Sequence, residues 1–509
     1  MRLLCSTVVI INIVSLLEGT HVNAQTSARP LFMVHYMPWF QTPAFHGYWG
    51  WHWTMNHFNP NAVDSSGRRS IASQYYPLTG PYDSDDPAIL EYQTLLMKLS
   101  GIDGVLVDWY GSDNVFDYGV LNTSTENIFA AAGKAGLTFG IVYEDQTIKH
   151  MIDGGLISAG QGYDHGRAAM KFIWDHWANT STYLVLGGHP VLLNFGPEYF
   201  SQSADWDSLF SALPSSPLFF TLDNRLTPVA AGAFPWPPMW KSNASGILTQ
   251  DALNSYLASF YQEAAGFQYL VTSAFPGFHD IYSEAGVSAS LGYLDAGNGG
   301  TLSSTLREGI AHSPSVIQLV TWNDYGEGTI IEPTREFGYQ YLDSVQSLRK
   351  SMDTSFPFTA DDLRWPMRIY QYRLTFSGNI EVSAALDRAY TAIVAGSPDS
   401  VEAILDGIDR VSRVTNKATA IPSGFALEQN FPNPFNPSTM IRYELPAAGF
   451  VRLDVYDLLG NVVATLASGR ISAGVHTAML DGAGLASGIY FARLSAGGKV
   501  LVRKMALLR

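Results

Sequence analysis

Between Leu31 and Thr321 the chain repeats one unit, a short apolar run rich in β-branched residues followed by a longer stretch of helical periodicity. The apolar runs are Leu31–Tyr36, Gly104–Trp109, Leu137–Glu144, Tyr183–Phe195, Leu218–Leu222, Tyr269–Ala274 and Val316–Thr321. Strands buried on both faces read as near-continuous apolar runs, and parallel strands need a crossover, usually a helix, between them. The first helix is the plainest. Asp86-Pro87 supplies an N-cap and a first helical residue, Ile89, Leu90, Leu95, Leu96 and Leu99 supply an apolar face, and Gly101 supplies the stop. Gly187-Gly188 predicts a tight turn that splits Tyr183–Phe195 into two strands. Seven strand regions stand out, and an eighth is expected around Ser288–Leu294. Repeated strand-helix units over about 320 residues predict an α/β fold of the (β/α)8 TIM-like barrel class, with an open doubly wound sheet as the alternative.

At 509 residues the chain exceeds what one core supports, and tryptophan marks the division. All 12 Trp lie between Trp39 and Trp365, so the last 144 residues hold none. The reading by segment is a signal peptide at 1–24, a barrel at 29–345, a helical extension at 346–414, a Pro-rich linker at 415–436 and an all-β sandwich at 437–509. The signal rests on Met1-Arg2, the apolar stretch Leu3 to Leu17, and small residues at Val22-Asn-Ala24 for cleavage. The apolar core is too short to span a membrane comfortably. Cys5 is the sole cysteine and falls inside this segment, so the mature chain has neither disulfide nor thiol nucleophile.

The net charge of -15 is uneven. Residues 421–509 carry eight Lys/Arg and five Asp/Glu, leaving the remainder at -18. An acidic domain repels polyanions, which argues against nucleic acid and sulfated partners and favours a neutral polyol such as a glycan.

Candidate chemistry gathers where strands end. The run Leu319-Val-Thr-Trp-Asn-Asp-Tyr-Gly-Glu-Gly-Thr329 leaves a predicted strand and presents Asp324 and Glu327 three positions apart. Carboxyls held just past a strand's carboxyl end are fixed by scaffold yet face substrate, and mutual repulsion lets one act as acid and the other as base. Their spacing fits either retaining or inverting glycosidase geometry. The bland alternative is that Asp324 caps a turn and Glu327 pairs with Arg335. Asp108, Trp109, Glu144 and Asp145 sit at other predicted strand ends, with Glu144 favoured over Asp108 for direct contact. Tyr36, Trp39, Trp109 and Trp322 are placed to stack on sugar rings. His46, His52 and His57 match no zinc spacing, and helix capping accounts for Asp83, Asp85 and Asp86, so no metal or other cofactor is expected.

The segment Thr321-Trp-Asn-Asp-Tyr-Gly-Glu-Gly-Thr-Ile-Ile-Glu-Pro333 resembles the signature of glycoside hydrolase families 71 and 99. Its first half is similar to the α-1,3-glucanase form, and Glu327-Gly-Thr-Ile-Ile-Glu-Pro333 to the endo-α-mannosidase and endo-mannanase form. Tyr36-Met-Pro-Trp39, Gly101-Ile-Asp-Gly-Val-Leu-Val-Asp-Trp109 and Pro276-Gly-Phe-His-Asp280 extend the resemblance across about residues 30 to 345. It implies a barrel hydrolysing α-glycosidic bonds, with Glu327 as acid/base and Asp324 as partner carboxylate. The mannosidase-like partner is a glutamate that assists attack by the sugar's own 2-hydroxyl; aspartate here follows the glucanases, which leaves sugar and stereochemistry open. Glu144 falls where the family has a substrate-binding acid, and the motif adds Asn323, Tyr325 and Glu332 to the candidate substrate contacts. From Phe425 onward the chain resembles a type IX secretion sorting domain, through Asn430-Phe-Pro-Asn-Pro-Phe-Asn-Pro-Ser-Thr439, Val455-Tyr-Asp-Leu-Leu-Gly-Asn461 and Gly488-Ile-Tyr-Phe491. That resemblance implies export machinery as a partner and a secreted or cell-surface protein from a Bacteroidetes-like bacterium.

Overall fold

A computed structural model describes residues 29–417, 424–430, 433–435 and 437–508. The signal-peptide segment, Cys5 within it, and part of the 415–436 linker lie outside the described residues. The chain forms two compact units, one running to Asn379 and including 390–398, the other comprising 380–389 and the residues from Asp399 onward.

In the first unit eight parallel strands are laid out in sequence: β1 (Leu31–Tyr36), β2 (Gly104–Trp109), β3 (Thr138–Tyr143), β4 (His189–Asn194), β5 (Leu218–Leu222), β6 (Gly232–Phe234), β7 (Val271–Ala274) and β8 (Val316–Leu319). Hydrogen bonding runs 6-5-4-3-2-1-8-7, which is the cyclic order of a (β/α)8 barrel left unbonded between β6 and β7 among the described residues. β1 pairs β8 with Leu31 beside Val316, and pairs β2 with Met33 beside Gly104.

One strand corrects the sequence reading. The eighth is Gly232–Phe234, and not Ser288–Leu294, where Tyr293–Leu294 makes a two-residue antiparallel ribbon with Phe278–His279. Gly-Ala-Phe has no β-branched residue to signal a strand, and Pro235 stops it after three residues because proline has no N–H for a ladder. The predicted turn is present: Val185–Leu186 folds back on β4, with Gly187 and Gly188 at φ 55° and 84°, as a two-residue turn with both centres left-handed requires.

Helix α1 (Pro87–Ser100) has the predicted start, Asp86 accepting from the Ala88 N–H, and buries Ile89, Leu90, Leu95, Leu96 and Leu99. Inside the barrel, Met33, Leu106, Val142, Leu193, Phe220 and Phe234 belong to one apolar core. Alternation along each strand puts the residue two positions on at the same face. That next layer holds His35, Asp108, Glu144, Phe195 and Trp236, so the floor above the apolar core is acidic on one side and aromatic on the other.

The second unit carries a three-stranded sheet (Ala426–Leu427, Ser438–Leu445, Gly474–Asp481) and a four-stranded one (Val462–Ile471, Gly449–Tyr456, Gly488–Ala496, Lys499–Leu507), all antiparallel. Ile441, Tyr443, Val451, Leu453, Leu494 and Met505 fill one core with both sheets contributing, the sandwich arrangement expected of the tail.

Candidate active site

The loop after β8 is built to hold two acids. Thr321 Oγ1 accepts from the Asp324 N–H at 2.8 Å and donates to the Thr329 carbonyl at 3.0 Å, closing the loop at its base. Asp324 Oδ1 accepts from the Glu327 N–H at 3.0 Å, and the Gly328 N–H reaches the Asp324 carbonyl at 2.9 Å. Two further bonds staple the loop to its neighbour, from the His279 N–H to the Glu327 carbonyl and from the Ile281 N–H to the Gly326 carbonyl. The Glu327 backbone is thereby fixed on both sides. Its carboxylate accepts from the Tyr282 hydroxyl at 3.3 Å. Asp324 does cap the turn, as the bland alternative supposed, whereas Arg335 lies over the Tyr76 ring, 4.5 Å from its centroid, and makes no ion pair with Glu327.

Burial sets the charge state. Asp324 is 4% exposed, and desolvation pushes its carboxyl up to about 6 against the stabilising backbone N–H groups of Glu327 and Gly326. Glu327 is raised well above the ordinary carboxylate range, first by burial and then by the charge of Asp324. From β2, Asp108 is pushed up to about 8 by burial, with the Tyr110 hydroxyl opposing and Asp324 adding to the rise. From the end of β3, Glu144 is raised by burial and by Asp108, while Gln146 donates to it at 2.6 Å. Three strand ends thus bring four mutually repelling carboxyls together, and they cannot all be ionised near neutrality. Proton donor and acceptor coexist in one site.

His35 joins this floor and was absent from the sequence reading. Gln318 Nε2 donates to His35 Nδ1 at 2.9 Å, leaving the proton of the neutral ring on Nε2. Burial lowers its pKa to about 3. His35 Nε2 and Asp108 Oδ1 face each other at 3.9 Å, and neither has a hydrogen-bond partner among the described residues. Period-two alternation from Met33 and Leu106 carries the signal that pairs His35 with Asp108. Tyr282 had none, since it reaches Glu327 from a separate four-residue helix, Tyr282–Ala285.

Six expected contacts lie beneath the surface of the site. Tyr36, Trp109, Trp322, Asn323, Tyr325 and Glu332 are at most 1% exposed. Glu332 accepts from Tyr82, Tyr325 and Gln93 at 2.8 to 2.9 Å, and Tyr36 donates to Gln93. Asn323 bonds the Met37 backbone through both its amide atoms, and Trp109 donates to Asn122. These hydrogen bonds tie Tyr36, Trp109, Asn323, Tyr325 and Glu332 to neighbouring segments. Trp39, 8% exposed, stacks on His52 with centroids 4.0 Å apart and neighbours Tyr110 at 6.4 Å. Asp145 accepts from the Glu198, Tyr199 and Phe200 N–H groups and secures that loop. His46, Asp83 and Asp85 lie close enough to hold a cation, but Asp83 is already engaged by Thr42 and Asp85 by Asn127.

Comparison with known proteins follows these divisions. Residues 429–507 match the family described as the secretion system C-terminal sorting domain. The chain carries a type IX sorting domain at its C-terminus. Such a tail indicates export to the cell surface or secretion, and among the described residues no helix is long and apolar enough to cross a membrane. The rest is similar to glycoprotein endo-alpha-1,2-mannosidases: 30% identical over 106 residues to that of Rattus norvegicus, covering 19% of this chain and 23% of the relative. The match therefore spans under a quarter of that relative's length. A Danio rerio endo-alpha-1,2-mannosidase-like protein is 23% identical over 361 residues, 61% of this chain and 73% of its own. The GH99 endo-alpha-mannosidase structure from Bacteroides thetaiotaomicron is 20% identical, covering 64% of this chain and 97% of its own, with a TM-score of 0.48.

Proposed function

We propose that the exported chain is a glycoside hydrolase that cleaves α-glycosidic bonds within a neutral polysaccharide or glycan of α-mannan or α-1,3-glucan type. The observation that carries this reading is the loop after β8, where Asp324 and Glu327 are clamped three residues apart and both held above the ordinary carboxylate range. Glu327 protonates the glycosidic oxygen as the bond from the anomeric carbon to that oxygen breaks. Asp324 takes the proton from water as the new bond to that carbon forms; if a hydroxyl of the substrate attacks instead, Asp324 takes its proton, and water then opens the resulting anhydro ring at the same carbon, losing its proton to Glu327 while Asp324 returns one to the ring oxygen released. After direct attack by water, return of both carboxyls to their starting states through solvent completes hydrolysis, the net change in either case being one water added across one bond. Glu144, 4% exposed, and the Trp39 edge complete the surroundings in which a sugar would be oriented.

The similarity to endo-alpha-mannosidases supports α-glycan substrates, and the acidic charge supports neutral ones. Incubation of purified protein with α-mannan and α-1,3-glucan oligosaccharides tests the reading, with new reducing ends expected. Proton NMR of the first anomer released decides between retention and inversion. Binding of these oligosaccharides with no cleavage would instead make the barrel a glycan-binding surface protein.

A further inference from the structure

Trp240 is the most exposed tryptophan of the chain, at 62%, although the segment bearing it is stiff. Pro235, Pro237 and Pro238 precede it and fix the backbone, and it sits in the short 3-10 turn Met239–Lys241. The Tyr256 ring meets the indole edge-on at 88°, centroids 5.8 Å apart. Tyr256 is itself anchored, its hydroxyl bonded to Asp223 and accepting from the Trp236 N–H at 3.2 Å. An indole packed edge-on against an anchored tyrosine and left largely in water is a preformed apolar platform.

The platform overlooks a cavity of about 770 Å³, within the usual range of small-molecule sites. The cavity lies between the loop after β5, the loop after β6 and helix α2 (Gln250–Ala264), and neither Asp324 nor Glu327 lines it. Its rim offers Asp223, Asn224, Lys241, Ser255 and Glu263, a mixture of donors and acceptors with both signs of charge. Clustered cations that would hold a polyanion are not part of it. The combination of an aromatic face with short, mixed polar partners suits a neutral polyol that has an apolar ring face. The same loop also points the other way: four residues earlier, Trp236 packs edge-on against His35 in the barrel floor at 4.9 Å.

We propose that this cavity is a second glycan-binding site, in which Trp240 stacks on a sugar ring and the rim residues bond its hydroxyls. It would hold a length of the polymer away from the bond being cut, and in that respect it rests on the hydrolase reading above.

The test uses the full-length chain in a Glu327→Gln background, which removes turnover, run in native gels containing soluble α-mannan or soluble α-glucan. Trp240→Ala is expected to raise the apparent Kd for the retarding polymer at least fivefold, and Trp240→Phe to restore most of the loss. Equal retardation of Trp240→Ala and its parent would overturn the second site. The hydrolase reading would survive that result, because wild-type cleavage of short oligosaccharides reports on it separately. Failure of both polymers to retard the parent would also overturn the proposal.

Discussion

In the proposed hydrolysis Asp324 and Glu327 divide their work through protonation, so the pH profile carries a signature. Asp324 must be ionised to accept a proton, and its pKa near 6 sets the acidic limb of kcat/KM. Activity is expected to rise as pH increases through about 6 and to fall at higher pH, as Glu327 loses the proton it must donate. A rate-against-pH series over the neutral range checks this, and an acidic limb near 4 would remove the assigned role of Asp324. Glu332 gives a stability prediction of its own. Its folded pKa is raised to about 7 by burial from an ordinary 4.5, so the folded state keeps a proton that the unfolded chain releases. Its contribution is full below about 4.5 and is lost as pH rises to about 7, on the order of 3 kcal/mol. Glu332→Gln is expected to flatten that part of the stability-against-pH curve measured by denaturant titration. The acid pair was legible because its loop has a distinctive spacing. The solvent exposure of Tyr36, Asn323 or Glu332 was not, because the hydrogen bonds that bury them come from Gln93, Tyr82 and Met37, far away in sequence.

At the level of elements, the acid loop depends on its glycine. Gly328 has φ 68°, and a Cβ there would lie 2.7 Å from the His279 carbonyl and 3.0 Å from the Tyr75 ring, the first of which is backbone that cannot swing aside. Gly328→Ala is expected to destabilise the barrel by about 1–3 kcal/mol and to lower kcat at least tenfold by shifting Glu327. Chemical denaturation and steady-state rates measure the two effects, and unchanged kcat would show that the staple to His279 does not position the acid. Strand legibility followed chemistry in the same way. Val, Ile and Leu runs announced seven strands, whereas Gly232–Phe234 owes its place to neighbouring strands and to Pro235, which a local pattern does not convey.

For the whole molecule, the proposed chemistry and the sorting domain fall in different units. Removing residues 424–509 is expected to leave oligosaccharide hydrolysis within a few-fold of the full chain while abolishing export from the producing cell, checked by assaying activity in medium and cell fractions. The tail was readable because its six longer strands, from Ser438–Leu445 to Lys499–Leu507, are bounded by turn residues and its core alternates along them. Tryptophan content marked the division, since every indole serves the first unit. The most direct measurement of the central claim is turnover of α-mannan and α-1,3-glucan oligosaccharides by wild type, Glu327→Gln and Asp324→Asn near pH 7. Wild type should release reducing ends, and each variant should lose roughly 10²–10⁴-fold in kcat while still binding the oligosaccharide. Full activity in either variant, or binding without cleavage by the wild type, would contradict the account.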